Sequence, residues 1–422
     1  MIRLVLFILV LTLAACSGSA PVSSHPAGKA NCALCDFLDD KRFTIADGQG
    51  AHESPDPDSS SEIETEADST PADSVVFADP NLEAAVRQAL NRLQGRLTPE
   101  DFASLKVLNA KDKNIQSLAG LEHCTALKTL GLLNNQIADI GPLAELTNLQ
   151  ALWLTDNQIA DVGPLANLTN LQTLGLTDNQ IVDVEPLAEL TNLQALWLIR
   201  NQVADVEPLA NLTNLQRIGL TDNQIADVEP LAGLNNLEGL WLTGNQIADV
   251  EPLAGLNNLQ ILALARNQIA DVEPLANLTN LQALWLIDNQ IADVEPLANL
   301  TNLQTLWLTG NQIADVGPLA NLTNLQTLGL VRNQIVAVEP LANLTNLHTL
   351  NLHNNQITDV GPLANLTNLQ TLHIGRNQIV DVGPLAGLTE LQTLGLSGNP
   401  LSNQAINEHI PALKARGVDV QH

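Results

Sequence analysis

The chain has 422 residues, of which 45% are apolar but only 2% aromatic, with no Tyr. That composition excludes a thick globular core, which recruits Phe and Tyr, and fits the thin aliphatic core of a repetitive structure. A formal net charge of −28 argues against nucleic acid, whose binding needs Lys and Arg to neutralise phosphates, and gives no polybasic attraction to anionic lipid; proteins, glycans and cations remain as partner classes.

Arg3 forms a positive n-region, and Leu4 to Leu13 an apolar h-region too short to span a bilayer. The run ends in Leu13-Ala14-Ala15-Cys16, which resembles a bacterial lipobox. The resemblance implies a signal peptide over residues 1–15, cleavage before Cys16 and lipidation of Cys16. An ordinary signal peptide with a chance Cys is the alternative. A lipoprotein's several acyl chains suffice for stable anchoring. By the same resemblance, Ser17 in place of Asp implies outer-membrane sorting if the host is Gram-negative. The expected location is therefore the bacterial cell envelope, reached by export and held by lipid. Cys32 and Cys35 form a Cys-x-x-Cys, which in an oxidising compartment reads as a small disulfide. A redox site would need a surrounding strand–helix unit. Asp36 stands where haem attachment needs His, and one Cys pair gives little for zinc. Residues 16–76 comprise the lipidated Cys and a stretch rich in Ser, Pro, Asp, Glu and Gly. That stretch reads as a disordered acidic tether, with a reach of roughly 40 Å.

A helical N-terminal cap is expected over residues 77–104. Asp79-Pro80 sets an N-cap before a Pro at the first helical position. Leu82, Val86, Leu90 and Leu93 follow at helical spacing. Thr98-Pro99-Glu100-Asp101 reads as a second helix start, with Thr98 as cap and Asp101 answering it. Such helices would cover the open first turn of a solenoid.

Residues 105–400 repeat every 22 residues, in about 14 units. One unit reads Leu149-x-x-Leu152-x-Leu154-x-x-Asn157, then Ile159, Val162, Leu165 and Leu168. The Asn recurs without a slip at Asn135, Asn157, Asn179, Asn201, Asn223, Asn245, Asn267, Asn289, Asn311, Asn333, Asn355, Asn377 and Asn399. An earlier unit carries Lys113 in that register, as suits a capping unit. Leu152-x-Leu154 alternates in and out as a strand does, and stacked neighbours can bury what one unit cannot. The ladder Asn can donate to and accept from backbone groups left unpaired after the strand. Cys124 falls at the register of Leu146 and reads as a small core residue.

The pattern L-x-x-L-x-L-x-x-N resembles the leucine-rich-repeat family, and its continuation resembles the bacterial internalin type. The resemblance implies an α/β solenoid: a horseshoe with a concave parallel β-sheet, convex 3₁₀ and irregular segments, an α-helical N-terminal cap and a short helical C-terminal cap. Internalins usually continue into an immunoglobulin-like domain and often a cell-wall sorting signal. Here residues 401–422 read as a C-terminal cap. Ser402 would start a helix carrying Ile406, Ile410 and Leu413, then Gly417 and a short strand over Val418-Asp419-Val420.

Binding residues are expected at outward strand positions. All five Trp, namely Trp153, Trp197, Trp241, Trp285 and Trp307, stand four residues before a ladder Asn, mostly with Gly or Ala between. On a concave sheet this makes a solvent-facing lane with slots between rings, which favours a binding surface; copying of a 44-residue pair of repeats is the bland alternative. Arg200, Arg266, Arg332 and Arg376 stand just before the ladder Asn, alternating with Asp, and Arg217 is a further concave Arg. Arg is favoured at interfaces, although a mixed solvated face would look similar. Asp139, Asp161, Asp183 and their equivalents form a row that reads as backbone capping, with calcium between rungs as the alternative. His353 and His373 neighbour one another near the C-terminal end and are too few ligands for a metal. No nucleophile beside a base, Gly-rich phosphate loop or HExxH motif occurs, so neither catalysis nor a cofactor is expected. The expected function is a monomeric protein-binding or adhesion scaffold. By the internalin resemblance, a eukaryotic surface receptor is one candidate partner. A peptidoglycan or surface-polysaccharide module, stacking sugars on the Trp lane, is the alternative.

Overall fold

The structure is a computed structural model and describes residues 74–422. The expected signal peptide, Cys16, Cys32, Cys35 and most of the expected tether lie outside the described residues. Val75, placed in the tether by composition, already donates its N–H to the Leu97 carbonyl at 3.0 Å.

Asp79 starts α1 (Pro80–Ala89) by accepting from the N–H groups of Asn81 at 2.8 Å and Leu82 at 3.3 Å. Its other oxygen accepts from Gln116 at 2.7 Å and Ser117 at 3.4 Å. One carboxylate therefore joins the cap to the first repeat. Burial alone would raise its pKa; the four backbone donors outweigh burial and hold it below the ordinary value. Asn91 then turns left-handed at φ 52°, and Arg92 N–H donates to the Arg87 carbonyl at 2.9 Å. This is a Schellman stop. It ends the helical stripe early, so Leu93, expected on that stripe, is 73% exposed. The second expected helix is instead a 3₁₀ segment, Pro99–Ser104, with Thr98 N–H donating to Asp101 at 2.7 Å. So short a piece suits 3₁₀ geometry. It delivers Phe102 to an edge-on contact with Phe77, centroids 6.0 Å apart. Gly120 (φ 102°) lies under this cap, where a Cβ would sit 2.8 Å from the Val76 carbonyl oxygen.

The repeats contribute fourteen three-residue strands: β1 (Val107–Asn109), β2 (Thr129–Gly131), β3 (Ala151–Trp153), β4 (Thr173–Gly175), β5 (Ala195–Trp197), β6 (Arg217–Gly219), β7 (Gly239–Trp241), β8 (Ile261–Ala263), β9 (Ala283–Trp285), β10 (Thr305–Trp307), β11 (Thr327–Gly329), β12 (Thr349–Asn351), β13 (Thr371–His373) and β14 (Thr393–Gly395). They pair in sequence order in one parallel sheet, each residue opposite its 22-residue equivalent, as Leu152 is opposite Leu174. The returns run through 3₁₀ turns such as Gly163–Leu165, whose second residue, Pro164, needs no N–H in that place. Ile159, Val162, Leu165, Leu168 and Leu171 are at most 1% exposed. With the strand leucines they make one continuous aliphatic core from cap to cap. This is the leucine-rich-repeat horseshoe, with the sheet on the concave side.

Ser402 Oγ accepts from Ala405 N–H at 3.0 Å, but the next turn, Ala405–His409, is π-helical. It leads into α2 (Ile410–Ala415). Pro411 lacks an N–H and crowds the carbonyl four residues back, which widens the turn. The shift in phase buries Ala405 and leaves Ile406, expected inside, 42% exposed. Arg416 donates to the carbonyls of Ala386 and Leu388, the latter at 2.6 Å. The strand β15 (Asp419–Gln421) then pairs with β14, one residue later than expected. Among the described residues, no helix is long and apolar enough to cross a membrane.

Candidate concave binding face

Each ladder Asn holds the turn beside the concave face. Asn157 donates from Nδ2 to the carbonyls of Leu132 and Leu154 at 3.0 Å and accepts on Oδ1 from Ile137 N–H at 3.0 Å. The same donation, to the carbonyl 25 residues back, recurs at all thirteen positions. A second ladder went unread in the sequence. Asn148, Asn170 and nine equivalents through Asn368 donate to a carbonyl 23 residues back at 2.7–2.9 Å. Its signal was the regular Asn before Leu in each unit. In the Asp row, Asp139 Oδ1 accepts from Gly141 N–H at 2.8 Å and Asp183 Oδ1 from Glu185 N–H at 2.9 Å. Each carboxylate thus opens a 3₁₀ turn. Among the described residues, no group of three His, Cys, Asp or Glu side chains is placed to hold a metal. Cys124 is fully buried in the core, and burial pushes its thiol up to about 12.

All five Trp stand on the concave sheet, but not as open fins. Trp197, Trp241 and Trp307 are 5%, 7% and 6% exposed, and Trp153 and Trp285 are half-buried. The slots between them are filled by the rings themselves. Adjacent strands lie about 4.8 Å apart, so an indole leaning one rung over reaches its neighbour. Trp153 leans on Gly175 and Trp197 on Gly219, where a Cβ would come within 2.5 Å of Cε3; Trp307 lies closer still on Gly329. Opposite Trp241 stands Ala263, and there the ring folds back over Gly239 of its own strand and meets Trp197, centroids 5.3 Å apart. Trp285 faces Trp307 rather than Gly, and its indole N–H is buried without a hydrogen-bond partner. The alternation of Trp and Gly therefore has a packing cause.

The residue before each ladder Asn is left-handed in all thirteen turns, from Asn134 at φ 51° to Gly398 at φ 80°. Asn, Asp and Gly tolerate this backbone and Arg does not favour it. Arg200 nevertheless occupies it, paired through two of its three guanidinium nitrogens, Nε and Nη2, to Asp178 one rung back. Arg266 reaches over Gly244 to Asp222, and Arg332 over Gly310 to Asp288, both at 2.7 Å. Arg217, on β6, lies 3.6 Å from Glu238. Arg376 is exposed and has no ion pair among the described residues. His353 lies within reach of its charge, and His373 stands three residues before it in the chain. Their rings lie against Gly375 and Gly395, where a Cβ would come within 2.9 Å and 2.6 Å of Nδ1. Burial, helped by Arg376 and the other imidazole, lowers the pKa of His353, and burial lowers that of His373.

This architecture has a counterpart among known families. A leucine-rich-repeat model of two copies matches residues 147–189, 191–233, 235–277, 279–321 and 323–365, and a second leucine-rich-repeat model matches residues 345–401. The chain belongs to the leucine-rich-repeat family, in its bacterial internalin-like form. An internalin, inlF of Listeria monocytogenes, is 37% identical, with 78% of this chain and all of that chain covered at a TM-score of 0.76. Internalin C2 of the same organism is 40% identical over 52% of this chain and all of its own, at a TM-score of 0.50. The ectodomain of the Arabidopsis thaliana receptor kinase GASSHO1/SCHENGEN3, solved with CASPARIAN STRIP INTEGRITY FACTOR 2, is 25% identical. It covers 68% of this chain and 37% of that one, at a TM-score of 0.60. No curated protein matches.

Proposed function

We propose that the chain is a cell-envelope lipoprotein that holds a protein partner against its concave sheet, as a binding or adhesion scaffold. One observation carries the reading. All five Trp, and all five Arg between Lys128 and Lys414, lie on the concave strands or the turns at their edge. Trp and Arg are the residue types that dominate interface hot spots. The internalin kinship and the plant ectodomain solved with a bound factor support a protein as partner. Three of the five rings are at most 7% exposed, so the aromatic surface open to a partner is that of Trp153 and Trp285, which does not offer a row of rings for successive sugars. Lipid anchoring rests on the lipobox resemblance at Cys16.

The test replaces the two half-buried rings, Trp153→Ala with Trp285→Ala, in the full chain and measures partner capture by crosslinking in surface extracts. We expect at least a 10-fold loss of captured protein with the repeat fold intact by circular dichroism. Undiminished capture would remove the concave face from the reading. In parallel, Cys16→Ala should abolish incorporation of labelled palmitate, and retained label would sink the anchor.

A further inference from the structure

We infer that the concave face carries a carboxylate-binding site over β12 to β14, in which the Arg376 guanidinium, together with His353 and His373, receives one acidic side chain of the partner. The inference rests on the proposed protein-binding role of that face and names the chemistry of one contact.

The first observation is a missing acid. Left-handed arginines in this column find their carboxylate one or two rungs back: Arg200 at Asp178, Arg266 at Asp222, Arg332 at Asp288. For Arg376 the same two positions hold Asn354 and Arg332. The guanidinium thus stands with five donors and no acidic partner among the described residues. The second observation is backbone cost. Arg376 is held at φ 52°, a conformation that non-glycine residues avoid and that persists where surrounding structure and function require it. Three of the four left-handed arginines make an internal ion pair, and Arg376 does not.

The third observation is where the repeat changes. The lane that carries Trp, Gly or Ala from Gly131 to Gly329 turns to Asn351 and His373, and the lane two residues on, mostly Thr, Ile or Val, becomes His353, Gly375 and Ser397. These changes fall on the adjacent strands that lead to and follow Arg376. An imidazole lies over each of Gly375 and Gly395, with the Ser397 carbonyl oxygen also crowding Gly375, so the rings are seated in place. With lowered pKa values, both imidazoles are neutral near pH 7 and offer an N–H without adding charge.

A carboxylate fits this set better than a larger anion. One planar fork matches one carboxylate bidentately, and a chain of net charge −28 repels a polyanion. The carboxylate could belong to a protein or to a small free acid. The test separates them in the full chain in detergent, following the imidazole proton resonances of His353 and His373. The probes are acetate and an N-acetylated, C-amidated Gly-Glu-Gly peptide. We expect saturable shifts, with the peptide at least 10-fold tighter than acetate. Arg376→Asn should abolish both responses, using a residue the fold already accepts at Asn354 in the equivalent turn. Equal binding of the two probes would overturn the protein source, and no shift, or full binding by the variant, would overturn the site. Partner capture kept by Arg376→Asn but lost by the Trp variant would overturn this contact alone. Capture kept by both would overturn the concave reading itself.

Discussion

At the scale of single residues, the glycines of the concave sheet are receptors for rings. Gly219→Ala would bring a Cβ within 2.5 Å of Trp197 Cε3 and 3.1 Å of Ile199 Cδ1. The ring must lift or the strand must shift, at about 1–3 kcal/mol. We expect a lower urea midpoint and stronger acrylamide quenching of Trp fluorescence; an unchanged quenching constant would mean that the ring is not seated on the glycine. The lane itself was legible, because five Trp in one register is a pattern of residue names. Its burial was not, because the lean of an indole depends on the residue 22 positions away. The left-handed column was legible in principle: a position filled by Asn, Asp and Gly in nine of thirteen turns announces positive φ. The four arginines hid it.

At the scale of elements, the caps depart furthest from what their sequence implies. A single carboxylate, Asp79, both starts α1 and grips the first repeat through Gln116 and Ser117. Asp79→Ala should cost about 0.5–2 kcal/mol, as lost N-caps do. Its folded pKa is depressed, so the stabilisation is fully present above the unfolded carboxylate value and lost as pH falls through the folded one. The melting difference between wild type and variant should therefore hold above the unfolded carboxylate value and shrink as pH falls below it. A difference that stayed constant down through the carboxylate range would show that the ionised form is not what binds. The repeat units were readable because each obeys one apolar period and one polar ladder. The cap helices were not, because one left-handed Asn91 stops α1 and Pro411 follows a π turn. Both are local events that override a correct periodicity and expose Leu93 and Ile406.

At the scale of the whole molecule, the solenoid is a stack in which the core of each rung packs on its neighbours, so stability is close to a sum over adjacent pairs. That additivity makes the order of rungs matter. Deleting residues 151–194 removes two rungs, β3 and β4, and leaves Gly131 ahead of Trp197, with Gly219 still under that ring. Deleting residues 173–194 removes one and sets Trp153 directly against Trp197, with no glycine to lie on. The shorter deletion should be the more damaging in calorimetry, against the intuition that less lost means less harm; the reverse ranking would refute ring seating as the organising rule. The native chain shows the strain of such a junction once, where Trp285 faces Trp307 and leaves its indole N–H unpaired. The rings therefore act as a reading frame for recombination. Unequal crossing-over between near-identical repeats can occur at any multiple of 22 residues, yet between β3 and β6 a step that removes a glycine rung alone leaves an indole with no glycine to lie on, whereas a step of 44 does not. Natural length variants of this stretch should accordingly not lack a glycine rung alone, so that packing on the inner sheet sets which repeats the gene can lose.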